Sequence, residues 1–332
     1  MDCEYHWLKP GDSGQGENFG QGENLGQSEN RSQTEILTSG YGENMAGNGK
    51  LIEASNTVKY IKELGLSAKK RYGQNFLIDA GVLNRIIEGS EISREDVVLE
   101  IGPGLGTLTE ALCESAGQVI AVEIDRDLIA PLEKRLAVYD NVRIINEDIL
   151  RVNINELSAE CGRPVKIVAN LPYYITTPII TTLLESEADI DSITVMVQKE
   201  VAERMNAAPG GKDYGALTLL VDYYCETEIL AKAPPHCFIP QPGVESAVIR
   251  LRLLEEPGAA PKDKSHMFRL IKAAFAQRRK TIQNSLMSDP SLGLSKEAVK
   301  NALEAMGLDE RIRGERLSLQ QFAELSDRLI SG

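Results

Sequence analysis

The sequence predicts an α/β protein: a doubly wound, mostly parallel sheet followed by a small all-helical C-terminal domain. Three observations carry this expectation. Short apolar runs recur from residue 96 onward and alternate with helical patterns, as crossover-connected parallel strands do. The first run ends in a glycine cluster that opens onto a helical pattern. Beyond residue 264 only helical patterns remain.

The chain opens with a degenerate hexapeptide, GQGENF, GQGENL, GQSENR, over residues 14–31. A segment so poor in aliphatic side chains buries too little apolar surface to offset its ordering entropy, so residues 1–50 are expected to be a disordered tail. A first helical pattern covers residues 58–66. Strands are expected at residues 96–102, 118–125, 141–148, 165–173 and 192–198. The first and second are separated by a helix at 107–115, the second and third by a helix marked by Leu128, Leu132 and Leu136. The apolar runs LTLLVDYY (217–224) and SAVIRLRLL (246–254) read as two more strands. EEPGAAPKDK (255–264) combines Pro, Gly and charge and reads as a linker. A single long helix is expected over 267–286. The resulting division is a tail (1–50), a larger ligand-binding domain (51–256) and a helical domain (262–332).

Composition excludes several classes of function. The five cysteines (Cys3, Cys113, Cys161, Cys225, Cys237) form no C-x-x-C pair, which disfavours a disulfide framework or a zinc cluster. The three histidines (His6, His236, His266) are scattered, so histidine acid–base chemistry loses weight and no metal site is expected. No apolar run is long enough to cross a bilayer, and residues 1–10 lack a secretory apolar core, so a cytoplasmic protein is expected. The net charge is −13. Taken alone it argues against nucleic-acid binding, but residues 1–50 hold eight acidic and three basic residues and so carry −5 of it.

The glycine cluster reads Glu100-Ile-Gly102-Pro-Gly104-Leu-Gly106. Its third glycine comes one residue too early for a dinucleotide fingerprint, which disfavours NAD. Glu123 ends the second strand, where a carboxylate can accept both ribose hydroxyls of a nucleoside. Asp148 ends the third, within reach of an adenine amino group. Together they describe a pocket for an adenosine-containing cofactor.

The fourth strand ends in Asn170-Leu171-Pro172-Tyr173. This tetrapeptide suits methylation of an adenine N6. That nitrogen is a poor nucleophile because its lone pair is delocalised into the ring. Two acceptors on its hydrogens, the Asn170 side-chain oxygen and the Leu171 carbonyl, push density back onto it. A sulfonium donor needs no general acid, so positioning and charge stabilisation suffice. Pro172 stiffens the loop, and Tyr173 offers a face for an unstacked base.

The chain resembles the ribosomal RNA adenine dimethyltransferase family. The resemblance rests on KKRYGQNFLID (69–79), EIGPGLGTLT (100–109), VEID (122–125), NLPYYITTPI (170–179), MVQKEVAERM (196–205), APPHCFIPQPGVESAVIRL (233–251) and AFAQRRKTIQNSL (274–286). It runs from about Lys69 to the end. Within the family it is greatest to the bacterial small-subunit enzymes, which dimethylate two adjacent adenosines in the 3′-terminal hairpin of 16S rRNA. It implies a Rossmann-like class I methyltransferase domain, S-adenosyl-L-methionine as cofactor, and the immature small ribosomal subunit as partner. It also implies that Asn75, Leu77, Gly102, Gly104, Glu123, Asp148 and Asn170 line the cofactor pocket. Phe238 would clamp the target adenine against Tyr173. The third strand ends in Glu147-Asp148 where the family often has Gly-Asp.

No acid occurs from Arg269 to Lys280 in an otherwise acidic chain. Arg269, Lys272, Arg278, Arg279 and Lys280 are therefore expected to contact RNA phosphates, extended by Lys69, Lys70 and Arg71. Two alternatives compete: a 23S rRNA adenine methyltransferase of the antibiotic-resistance type, and a ribosome-assembly factor whose methylation is secondary.

Overall fold

The computed structural model describes residues 51–65 and 74–330. The expected tail (1–50) and the triplet Lys69, Lys70, Arg71 lie outside the described residues.

The chain begins with α1 (Ala54–Glu63), the two-residue strand β1 (Phe76–Leu77) and α2 (Ala80–Gly89). Helix α2 starts where the Asp79 carboxylate accepts the Val82 N–H at 2.9 Å, which satisfies one of the orphan donors of a helix start. The alternating body follows: β2 (Val97–Ile101), α3 (Thr107–Ser115), β3 (Gln118–Val122), α4 (Arg126–Leu136), β4 (Val142–Ile145), α5 (Ile154–Cys161), β5 (Val165–Asn170), α6 (Thr176–Glu185) and β6 (Ile190–Gln198). Then come α7 (Lys199–Met205), α8 (Ala216–Tyr224), β7 (Cys225–Ala233), β8 (Phe238–Ile239) and β9 (Ser246–Leu253). The C-terminal part is α9 (Lys264–Ala276), α10 (Ile282–Leu286), α11 (Lys296–Ala305) and α12 (Leu319–Ile330).

Seven strands form one sheet in the order β4-β3-β2-β5-β6-β9-β7. The five from β4 to β6 pair in parallel; β9 is antiparallel to both β6 and β7. Successive strands are added outward from β2 on one side as far as β4, and then on the other side from β5. That reversal leaves a crevice at the carboxyl ends of the central strands. Strand β2 is buried on both faces. Leu99 and Ile101 join one apolar cluster with Ile167 and Ile180, while Val98 joins another with Leu108 and Leu112. Its apolar run, interrupted only by Glu100, follows from this double cover.

Two expected elements are corrected. Residues 217–224 are not a strand but helix α8. The helix lies between two cores: Leu220 and Val221 enter the cluster under the sheet, and Leu219 and Tyr223 enter the cluster of the C-terminal helices. With apolar residues needed on both sides, the run shows no polar face, and periodicity cannot tell such a helix from a buried strand. The strand is the next segment, CETEILAKA, as β7. The single helix over 267–286 is also broken. Gln277 leaves helical geometry at φ −134°, ψ 66°, and α10 restarts at Thr281, whose hydroxyl accepts the Asn284 N–H. Ile282 and Leu286 still pack with Leu270 and Ile271, so the apolar stripe runs through the break.

The segment read as a linker is strapped down. The Gly258 N–H donates to the Tyr223 carbonyl at 2.8 Å, and a Cβ at Gly258 would stand 2.3 Å from the Asp222 carbonyl oxygen. The Lys262 N–H donates to Asp327 at 2.7 Å. Among the described residues the cysteines are unpaired and no His/Cys/Asp/Glu group is arranged to hold a metal. No helix among them is long and apolar enough to cross a membrane.

Candidate active site

The crevice is lined by the glycine loop after β2, Glu123 after β3, Asp148 after β4 and the tetrapeptide after β5. Gly102, Gly104 and Gly106 take φ of 69°, 61° and 91°, where a side chain would clash with its own backbone. At Gly104 the constraint is doubled, since an added Cβ would sit 3.3 Å from the Phe76 ring. The loop wraps onto Glu123, whose carboxylate accepts the N–H of Gly104 at 3.1 Å and of Asp125 at 2.8 Å. Glu123 is buried, and burial raises its pKa against the pull of those two hydrogen bonds. Asp148 is half-buried and accepts the Leu150 N–H at 3.0 Å.

A third carboxyl group comes from strand β2 itself. Glu100 is 1% exposed and lines the crevice, and its Oε2 has no hydrogen-bond partner among the described residues. Burial pushes its pKa up to about 8, with the neighbouring Glu123 charge adding to the effect.

On the opposite wall, Asn170 Nδ2 donates to the Asn75 carbonyl at 2.9 Å. This assigns the amide nitrogen to the β1 side and leaves the Oδ1 acceptor for the crevice. The Leu171 N–H donates to Met196 at 3.0 Å, and no hydrogen bond among the described residues engages the Leu171 carbonyl. Pro172 precedes a one-turn 3₁₀ helix, Tyr173–Ile175. The Tyr173 hydroxyl lies 2.6 Å from Ser246 Oγ, which fixes its half-buried ring, and burial raises its pKa. Asn75, Leu77, Gly102, Gly104, Glu123, Asp148 and Asn170 thus meet in one crevice with Leu171, Pro172 and Tyr173.

Phe238 does not join them. It is 0% exposed, paired in β8 opposite Leu77 of β1, and packed among Met196, Cys237 and Val248. The crevice lining does not include it. The structure places this ring in the core between strand pairs and not on the crevice wall with Tyr173. The basic stretch is also divided. Arg269 and Lys272 are exposed on α9, and Arg279 and Lys280 are exposed in the turn after it. Arg278 is engaged, donating to the carbonyls of Lys212 at 2.8 Å and Tyr214 at 3.1 Å, with Glu315 3.6 Å away.

Residues 65–330 match the family model described as ribosomal RNA adenine dimethylase. The chain belongs to the ribosomal RNA adenine dimethylase family. Relatives of this dimethylase include the ribosomal RNA small subunit methyltransferase A of Lachnoclostridium phytofermentans, 53% identical over 83% of this chain and 96% of that protein. The protein of the same name from Alkaliphilus metalliredigens is 49% identical over 83% and 97%. Among solved structures, a dimethyladenosine transferase from Plasmodium falciparum superposes with a TM-score of 0.61 at 26% identity, covering 75% of this chain and 95% of its own. The 23S rRNA methyltransferase ErmE gives 0.60 at 30% identity, covering 77% and 100%.

The dimethylase uses S-adenosylmethionine, and the crevice fits that group. The positive-φ glycines let backbone approach a nucleoside closely, and the strand-end carboxylates suit its hydroxyls and amino group. Several residues of the dimethylase site escaped the sequence reading. Gln74 donates to Asp125 at 3.0 Å and ties the chain before β1 to the end of β3. Ser246 anchors Tyr173 from β9. Glu100 stood inside the glycine motif, and nothing local signals that its carboxyl is sealed. Tyr174 lines the crevice while remaining 55% exposed.

Proposed function

We propose that this chain dimethylates the N6 of two adjacent adenosines in the 3′-terminal hairpin of 16S rRNA, within immature small ribosomal subunits in the cytoplasm, as a step of ribosome biogenesis. The observation that carries the reading is the Asn170 acceptor, oriented by its bond to Asn75 and set beside Tyr173 at the lip of the glycine-lined crevice. The small-subunit substrate is favoured over the 23S alternative by the curated relatives. Those bearing the small-subunit name are about half identical over at least 96% of their length. The 23S enzyme shares less.

In this reading Asn75, Leu77, Gly102, Gly104, Glu123, Asp148 and Asn170 hold the cofactor. When bound, S-adenosylmethionine supplies an electrophilic methyl whose leaving thioether departs neutral. Asn170 Oδ1 and the Leu171 carbonyl accept the hydrogens of the target amino group and concentrate density on its nitrogen. Pro172 keeps the loop in place and Tyr173 supports the base. Residues 51–256 hold this chemistry and residues 262–332 the helical RNA-binding part. There Arg269, Lys272, Arg279 and Lys280 meet phosphates, while Arg278 is mainly a structural tie.

The test is Asn170→Ala in single-turnover methyl transfer to unmethylated small subunits at saturating cofactor. Loss of one preorganised acceptor should cost about 10²–10³ in rate. Subunit binding on the same preparation should change far less. Near-normal methylation by the folded variant would refute this role for Asn170. Lost methylation with retained binding would separate the enzyme from a binding-only assembly factor.

A further inference from the structure

We propose that Arg135 is a positioning residue for the cofactor: with Glu110 it holds the glycine loop in the shape that receives S-adenosylmethionine. This rests on the reading that residues 102–106 line the cofactor site, and it names what fixes that loop from outside the crevice.

Arg135 comes from the last turn of α4 and Glu110 from the first turn of α3. Their side chains are 3% and 15% exposed, and Arg135 Nη2 donates to Glu110 Oε2 at 2.6 Å. Neither residue is part of the crevice lining. Such a pair is a poor source of stability. Taking two charges out of water costs more than their attraction returns unless their remaining polar atoms are also satisfied. Here Arg135 Nε and Glu110 Oε1 have no hydrogen-bond partner among the described residues. Burial raises the Glu110 pKa against the pull of the Arg135 guanidinium, so desolvation outweighs the attraction.

What the pair does is join three elements around one glycine. The Glu110 N–H donates to the Gly106 carbonyl at 3.0 Å, so the residue that grips Arg135 is itself tied to the end of the loop. Gly106 has φ 91°, and a Cβ there would stand 3.2 Å from Leu132 and 3.6 Å from Arg135 Cδ. The arginine stem therefore packs against the loop backbone. The guanidinium lies 5.6 Å from the centroid of the Tyr60 ring, which brings α1 into the same cluster. Tyr60 in turn shares its apolar core with Phe76 and Leu105, and both of these line the crevice. Loosening the pair frees the end of the loop and the packing behind Phe76 and Leu105, while removing no crevice-lining side chain.

The experiment compares wild type, Arg135→Met, and Arg135→Met combined with Glu110→Leu. Arg135→Met leaves a buried carboxyl without its partner and should lower the urea midpoint of the cofactor-free protein. The double variant replaces both charged groups by apolar ones of similar size and should return the midpoint to the wild-type value or above. Two further readouts separate positioning from stability. Amide deuterium exchange over residues 102–107 should be faster in the double variant, with exchange in β2 and β3 unchanged. Its calorimetric S-adenosylmethionine affinity should be roughly tenfold weaker than wild type. A double variant with wild-type affinity or wild-type loop exchange overturns the proposal. So does one whose midpoint stays as low as that of Arg135→Met, because its lost affinity is then lost fold. Glu123→Ala, measured alongside, tests the cofactor-site reading itself. If Glu123→Ala binds S-adenosylmethionine as wild type does, that reading falls and the positioning role with it. If Glu123→Ala loses affinity and the double variant does not, only the positioning role falls.

Discussion

Replacing Glu100 by Gln should change how stability depends on pH, by an amount the structure sets. Glu100 is 1% exposed, and burial pushes its pKa up from the usual 4.5 to about 8. In the unfolded chain the carboxyl loses its proton near its ordinary value; in the folded protein it keeps the proton until about pH 8. Across that window the folded state binds more protons, so this group makes stability fall as pH rises. The slope is about 1.4 kcal/mol per pH unit, and the full window corresponds to on the order of 5 kcal/mol. Below the window both states are protonated, and above it both are ionised, so the slope vanishes. Gln has nearly the same shape and stays neutral throughout. Glu123 is also raised by burial and acts with the same sign, and it is present in both proteins. The assay is urea unfolding of the cofactor-free chain at intervals from about pH 5 to about pH 8, wild type beside Glu100→Gln. The variant should gain on wild type by about 1.4 kcal/mol for each unit of rising pH. Parallel profiles would show that Glu100 is ionised in the folded protein and would refute the argument that its sealed, unpartnered oxygen keeps it neutral.

Glu123→Ala removes the acceptor that holds the Gly104 and Asp125 N–H groups, and calorimetry should show S-adenosylmethionine binding weakened by about 1–3 kcal/mol. Gly104→Ala forces a side chain into a left-handed conformation and against Phe76. It should cost about 1–2 kcal/mol in stability or cofactor affinity, and unfolding together with calorimetry should show where the loss falls. Arg279→Glu with Lys280→Glu should weaken RNA binding and flatten its dependence on salt without touching cofactor affinity. Arg278→Ala should instead act on the fold, lowering unfolding stability by about 1–3 kcal/mol, because its guanidinium holds the Lys212 and Tyr214 carbonyls.

Much of the dimethylase was legible in the sequence because its signals are local. The alternation of apolar runs and helical spacing reflects the repeat of each element, so the sheet and the C-terminal helices could be expected before any contact was known. The glycine loop and the acids at the strand ends were legible for the same reason, since a parallel sheet delivers every such turn to one edge. Helix α8 was not legible: its residues answer to two cores at once, and Leu219 and Leu220 face different neighbours. Nor were the states of individual side chains. Asn170 is oriented by Asn75, 95 residues away, and Tyr173 by Ser246, 73 residues away. Phe238 and Tyr174 are both aromatics in loop motifs, yet Phe238 is fully buried in β8 beside β1 and Tyr174 is 55% exposed on the crevice lining. Burial and hydrogen-bond partnership are set by which distant segments close over a residue. The sequence by itself determined the elements and the chemistry available to them. Only the tertiary packing decided which carboxyl is buried, which end of the Asn170 amide is bonded and which aromatic ring is enclosed.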